Sequence, residues 1–252
     1  MRYWLIVPAA GSGRRFGLNA AAKQYADIAG RSVLEWACHA FGADRRCQGA
    51  VFALRGDDPH WPAVRARLGA LKIGPIIEAA GGSERAYSVR NALSALADRA
   101  QPQDLVLVHD AARPCLLRED LDALLRAAAR HEHGALLAVP LADTLKRAAT
   151  PLGGLVGVPV AATVSRELLW RALTPQAARY AALCAALDAA AAENRLPTDE
   201  AQALEWRAAP MQLVPGAASN IKITSADDLA LARVLIAARA HASVDTGAPG
   251  AH

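Results

Sequence analysis

The sequence predicts an α/β fold on a mostly parallel, doubly wound sheet. Three observations carry that prediction. Short apolar runs alternate with helical segments, several of those runs end in glycine turns or a polar group, and 53% hydrophobic residues with 5% aromatics describe alanine-rich helices laid on a sheet. A chain of 252 residues is long enough to bury one such core.

The first run, Tyr3 to Val7, is a strand that stops at the glycine turn of PAAGSGRRF. In GRSVLEWACHAF, Ser32 and Glu35 have the spacing of a capping box, and Val33, Leu34, Ala37, Cys38 and Phe41 then share one helical face. Ala50 to Leu54 reads as a second strand, followed by a polar helix over Pro59 to Leu68. A third run, Ile73 to Ala79, ends in the glycine turn that opens the helix of GGSERAYSVRNALSAL, with Ser83 placed to cap it. Leu105 to Val108 is a continuous β-rich run, as expected of a strand covered on both faces, and it stops at His109 and Asp110. His109, ending a buried strand, reads as a hydrogen-bonded structural group. A helix over Arg118 to His131 and a strand over Ala135 to Val139 follow. In a sheet of this kind ligands sit at the carboxyl ends of the strands.

Between Pro140 and Pro175 the rhythm breaks. The segment is rich in glycine, proline and β-formers and has no long helical period, so it reads as a β excursion with a protruding arm over about residues 140–166. The strand edges of an extended arm need covering, which points to a homodimer paired through it. Helices over Arg179 to Glu193 and Asp199 to Ala208, a strand over Met211 to Val214 and the segment NIKIT come next. A capping signal, Ser225 with Asp228, opens the last helix. Together these make a single domain over residues 1–242, and residues 243–252 read as a disordered tail.

Charge narrows the function. The net charge of +4 is spread through the chain, with 24 acids against 28 lysines and arginines, which favours a small anionic ligand over nucleic acid. Cys38, Cys47, Cys115 and Cys184 form no C-x-x-C pair, so neither a zinc site nor a disulfide framework is signalled, and a reduced cytoplasm is expected. No run reaches the roughly 18 apolar residues of a membrane helix, and no signal-peptide pattern precedes the first strand, so no membrane association is expected. The five tryptophans read as packing residues, because no basic stripe accompanies them.

The turn after the first strand is the chemical clue. Gly11 and Gly13 let the backbone bend and present N–H groups, while Arg14 and Arg15 add donors that stay charged. Lys23 of AKQY follows in the same connection, and three cations there suggest a polyphosphate. The turn lacks the Gly-Lys-Ser/Thr of a Walker loop, and its third glycine, Gly17, stands one place late for a dinucleotide fingerprint. Asp110 stands where a carboxylate holds a metal or a ribose hydroxyl, with Arg113 three residues on; a turn or helix cap is the plainer role for such an aspartate.

In this order, PAAGSGRRF, AKQY, GGSERAYSVRNAL, VHDAARP, PLADTLK, LLWRALTPQ, TDEAQALE and NIKIT resemble the 2-C-methyl-D-erythritol 4-phosphate cytidylyltransferase family of the non-mevalonate isoprenoid route. The resemblance implies a Rossmann-like nucleotidyltransferase fold, a homodimer that exchanges its β-arm, a divalent cation (usually Mg2+) and the substrates CTP and methylerythritol phosphate. It matches Arg15 and Lys23 to residues that stabilise the transition state, and Arg166 and Lys222 to residues that position the methylerythritol phosphate. Asp110, Arg113, Thr144 and Thr174 resemble further contacts to that substrate, with Asp110 also near the metal and ribose. Ala9, Ala10, Gly11, Gly13, Gly82, Ser88 and Ala111 resemble the nucleotide pocket. The family commonly has proline where this chain has Ala22, and acids where it has Ser83 and Ser165; without the proline the Lys23 loop is less restricted. A close relative, pentitol-phosphate cytidylyltransferase, shares the nucleotide half of the site, and a non-catalytic nucleotide-binding protein is the remoter alternative.

Overall fold

The computed structural model describes residues 1–11, 23–153 and 156–245. The chain begins with β1 (Tyr3–Pro8) and, after a 3₁₀ turn at Lys23–Tyr25, forms a small hairpin of β2 (Asp27–Ile28) and β3 (Arg31–Ser32). It continues through α1 (Val33–His39), β4 (Cys47–Leu54), α2 (Trp61–Leu68), β5 (Ile76–Ala80), α3 (Arg85–Ser94), β6 (Leu105–Val108), α4 (Arg118–Arg130) and β7 (Ala135–Pro140). The arm is β8 (Leu145–Ala148) paired antiparallel with β9 (Val160–Val164). The chain returns through β10 (Trp170–Arg179), then α5 (Tyr180–Ala192), α6 (Glu200–Glu205), β11 (Gln212–Pro215) and α7 (Ala226–Asp245).

The main sheet has the order β11-β7-β10-β6-β1-β4-β5 and is parallel at every pairing except the two made by β10. Its inner strands are covered on both faces, and the two-residue period sorts their side chains. Along β1, Tyr3, Leu5 and Val7 enter one core with Phe41, Phe52, Leu68, Leu107 and Leu124, under α1, α2 and α4. Trp4 and Ile6 enter the other with Val51, Val89, Leu93, Val106 and Leu183, under α3, α5 and α6. A third cluster packs α7 onto the hairpin through Ile28, Val33, Ile223, Leu229 and Ile236. Full burial of such side chains is worth about 1.5–3 kcal/mol each, so the sheet is a rigid base.

The capping signals hold. Ser32 and Glu35 cap α1 reciprocally, with Arg67 paired to Glu35, and Ser225 and Asp228 exchange bonds at 2.8 and 3.2 Å at the start of α7. Ser83 does not cap α3, because it stands one residue ahead of the N-cap, Glu84, which makes no side-chain cap bond. The last helix reaches Asp245, three residues past the expected end of the domain, and the rest of the expected tail lies outside the described residues.

The β excursion is shorter than the stretch Pro140–Pro175, because its last residues, from Trp170 on, belong to the main sheet. Residues 173–178 are all buried between β6 and β7, where β10 runs antiparallel to both. WRALTPQAAR has no β-branched run beyond Thr174, and proline cannot donate to a ladder, so its sequence argues against a central strand. The sheet accommodates it by a register shift between Ala172 and Gln176, where Pro175 sits.

Candidate active site

Four parallel strands deliver their carboxyl ends to one cleft of about 670 Å³. From β1 come Ala9, Ala10 and Gly11; from β4, Arg55 and Gly56; from β5, Gly82 and the start of α3 with Ser88; from β6, Asp110 and Ala111. Lys23 enters from the 3₁₀ turn and Lys222 from the NIKIT segment, so nine residues singled out in the sequence meet here. Gly13 and Arg15 lie outside the described residues.

Local chemistry explains the shape. Gln24 donates through Nε2 to the carbonyls of Ala9 at 2.9 Å and Gly11 at 3.3 Å, closing AKQY onto the first residues of the glycine turn. A Cβ at Gly81 would overlap that of Ala10 and one at Gly82 that of Tyr87, so this close approach requires glycine. The Gly82 N–H donates to Ser88 Oγ at 3.0 Å, and that hydroxyl donates in turn to Glu84 O at 3.2 Å.

Asp110 is the electrostatic centre. Its Oδ1 accepts from Arg85 Nε at 3.0 Å, its Oδ2 meets Lys222 Nζ at 2.8 Å, and Arg113 Nε stands 3.6 Å away. Burial would raise the carboxyl, but Arg85, Lys222 and Arg113 together hold it well below the usual carboxylate range. Thr174 is buried beneath it, with its Oγ1 accepting from the Asp110 N–H and 3.0 Å from His109 Nδ1. His109 is fully buried, bonds through Nε2 to the Arg113 carbonyl, and has its pKa pushed down to about 4 by burial. The buried Arg113 donates to Asn220 O at 2.8 Å, Asn220 donates to Thr174 O at 2.8 Å, and Ile223 N–H donates to Ala112 O at 2.8 Å. These bonds bring NIKIT, and Lys222 with it, to the end of β6.

Arg166 and Thr144 are elsewhere. Both are exposed at the arm, outside the cleft of their own chain, and the Arg166 guanidinium donates to the Ala142 carbonyl. Arg113 and Thr174 lie behind Asp110 rather than on the cleft wall.

The model of the 2-C-methyl-D-erythritol 4-phosphate cytidylyltransferase family matches residues 3–238. The chain belongs to this family. A cytidylyltransferase of this description from Halorhodospira halophila is 48% identical over 239 residues, covering 94% of this chain and 95% of that one. One from Chromohalobacter salexigens is 46% identical over 252 residues, covering 98% and 94%. Among solved structures, a 4-diphosphocytidyl-2C-methyl-D-erythritol synthase superposes with a TM-score of 0.77 at 32% identity, covering 93% of this chain and 99% of the other. The Thermus thermophilus cytidylyltransferase gives 0.71 at 31% identity, covering 92% and 98%.

In this cytidylyltransferase, two polar groups on the cleft wall, Gln24 and Arg85, and one buried behind it, Glu200, escape a reading of the sequence. Gln24, Arg85 and Glu200 stand inside the quoted motifs, yet their residue types alone point to no role. Arg85 and Glu200 are 115 residues apart, and nothing short of the fold reveals that they pair. No group of three or more His, Cys, Asp or Glu side chains among the described residues can hold a metal by itself, and Asp110 and Glu84 are the acids on the cleft wall. No helix among the described residues is long and apolar enough to cross a membrane.

Proposed function

We infer that this cytidylyltransferase moves the cytidylyl group of CTP to 2-C-methyl-D-erythritol 4-phosphate, giving 4-diphosphocytidyl-2-C-methyl-D-erythritol and pyrophosphate. The observation that carries the reading is the meeting of Lys23, Lys222 and Asp110 with two glycine turns in one cleft of a family member. A phosphate oxygen of the acceptor bonds to the α-phosphorus while the bond from that phosphorus to the β-phosphate bridging oxygen breaks. Pyrophosphate leaves with the electron pair. The nucleophile is already an anion, so no side chain has to remove a proton, and catalysis reduces to alignment and charge stabilisation. His109, neutral and sealed from the cleft, is consistent with a reaction that needs no general base.

Lys23 stabilises charge on the α-phosphate and the departing pyrophosphate, with Arg15 as its partner from the glycine turn. Lys222 receives the acceptor phosphate, and its pairing with Asp110 keeps the ammonium in place until that phosphate arrives. Gly82, Ser88 and the backbone of Ala9–Gly11 receive the cytidine. Magnesium is commonly held by one or two carboxylates with phosphates completing the shell, and Asp110 would be the ionised carboxylate for it at the cleft, sharing its oxygens' remaining lone pairs with the bonds to Arg85 and Lys222. Bound with CTP, the ion supplies charge neutralisation on the triphosphate.

Arg166 serves the cleft of a second subunit in a homodimer joined through the arm. Three observations support this: Arg166 does not line its own cleft, β8 and β9 are largely exposed, and Val160 keeps 61% of its surface open. The protein acts in the cytoplasm, which suits its four free thiols. The deciding assay is magnesium-dependent pyrophosphate release from CTP, with methylerythritol 4-phosphate compared with ribitol 5-phosphate. Release with the first acceptor is expected, and equal or faster release with the second overturns the substrate.

A further inference from the structure

Among the described residues, the TDEAQALE motif supplies the one buried acid near the cleft that the reaction above does not use. Glu200, its third residue, is 2% exposed and opens α6. It accepts from two nitrogens of Arg85, Nη1 to Oε1 at 2.6 Å and Nη2 to Oε2 at 3.0 Å. The remaining nitrogen, Nε, bonds Asp110 Oδ1 at 3.0 Å, and Asp110 Oδ2 holds Lys222 at 2.8 Å. Glu200 is itself anchored. Asp199 caps α6 by accepting from Gln202 N–H at 2.9 Å and also accepts from Gln176 Nε2 at 2.9 Å. Gln176 Oε1 accepts from the Ala201 N–H at 2.9 Å, so the first turn of α6 is fastened to the central strand β10.

We propose that Glu200 is a positioning residue for cytidylyl transfer: by gripping two nitrogens of Arg85 it aims the third at Asp110, and so fixes where Asp110 presents Lys222. A planar guanidinium has its donors in a rigid fork, so fixing one edge fixes the direction of Nε. Without Glu200, Arg85 turns toward Asp110 or toward phosphate, and the carboxylate loses the orientation that places the ammonium. A buried ion pair kept only for the fold has no need of a third partner at the cleft wall, and such pairs add little stability over neutral replacements.

The proposal rests on the transfer reaction assigned above, and its test separates the two. Glu200→Gln is expected to lower kcat by roughly 10- to 100-fold, as loss of an orienting partner does elsewhere, while KM for CTP changes little. Arg85→Lys keeps the charge but loses the fork, and kcat is expected to fall alike. Because Glu200→Gln leaves a buried guanidinium unbalanced, the paired variant Arg85→Gln/Glu200→Gln is measured beside it. It is expected to regain thermal stability without regaining kcat. Recovery of wild-type kcat in the paired variant, or undiminished kcat in Glu200→Gln, overturns the proposal. A crystal structure of Glu200→Gln with Arg85, Asp110 and Lys222 unmoved overturns it as well, whatever the reaction. Failure of the unaltered chain to release pyrophosphate instead counts against the assigned chemistry.

Discussion

The cleft edge and the arm are built on opposite plans. All four residues of β6 are buried, and Asp110 at its end accepts from Arg85, pairs with Lys222 and donates its backbone N–H to the Thr174 hydroxyl. In the arm, β8 and β9 leave nearly every residue open, and Arg166 donates to a backbone carbonyl of its own arm. The contrast teaches where precision comes from. Groups that must meet developing charge are fixed by a packed sheet behind them, whereas a cation on a two-stranded ribbon gains a fixed place when another surface covers it.

The sharpest way to break this comparison is at Lys23. Lys23→Ala should lower pyrophosphate release by about 10²- to 10³-fold, the usual effect of deleting a group that stabilises transition-state charge. Its unfolding midpoint should stay near that of the unaltered chain; undiminished turnover would remove the cleft from the chemistry.

His109 tests the rigidity of the same edge through pH. Its folded pKa of about 4 lies below the ordinary 6.5, so between these values the unfolded chain binds more protons. Stability is therefore fully present above about pH 6.5 and falls as pH drops toward 4, by up to about 3 kcal/mol from this group. Denaturant unfolding at pH 7 and pH 4.5 should show that dependence, and His109→Gln should flatten it. An equal slope in both chains would mean that the imidazole is not sealed.

Complementation sharpens the arm's side of the contrast. If Arg166 completes a partner's cleft, mixing Arg166→Ala and Lys23→Ala chains should restore about a quarter of the sites at random pairing. No recovery in confirmed hybrids would return Arg166 to its own subunit. The smallest effect is expected at Val160, where Val160→Ser should change the stability of the isolated chain by no more than about 0.5 kcal/mol yet weaken self-association in sedimentation. Weakened folding with unchanged association would reverse the reading of the arm.

Much of this was legible in the residues. Continuous apolar runs closed by a glycine turn or a polar residue marked β1, β4, β6 and β7, because a strand covered on both faces needs only local, repeated chemistry, and both capping signals announced their helices. β10 was not legible: Pro175 and Gln176 argue for a turn, and only burial between β6 and β7 makes the segment a strand. Lys23 and Lys222 were visible as cations in motifs, while Arg113 and Thr174 proved to stand behind Asp110 rather than at the cleft wall.

The sequence by itself determined the strand and helix rhythm, the glycine turns and the family, since those depend on neighbours a few positions apart. Only the tertiary structure decided the pairing of Arg85 with Glu200 across 115 residues, the insertion of β10, and the delivery of Lys222 to Asp110. Those depend on charges and strand edges that find each other once the sheet has closed, and desolvation then makes each unsatisfied alternative costly.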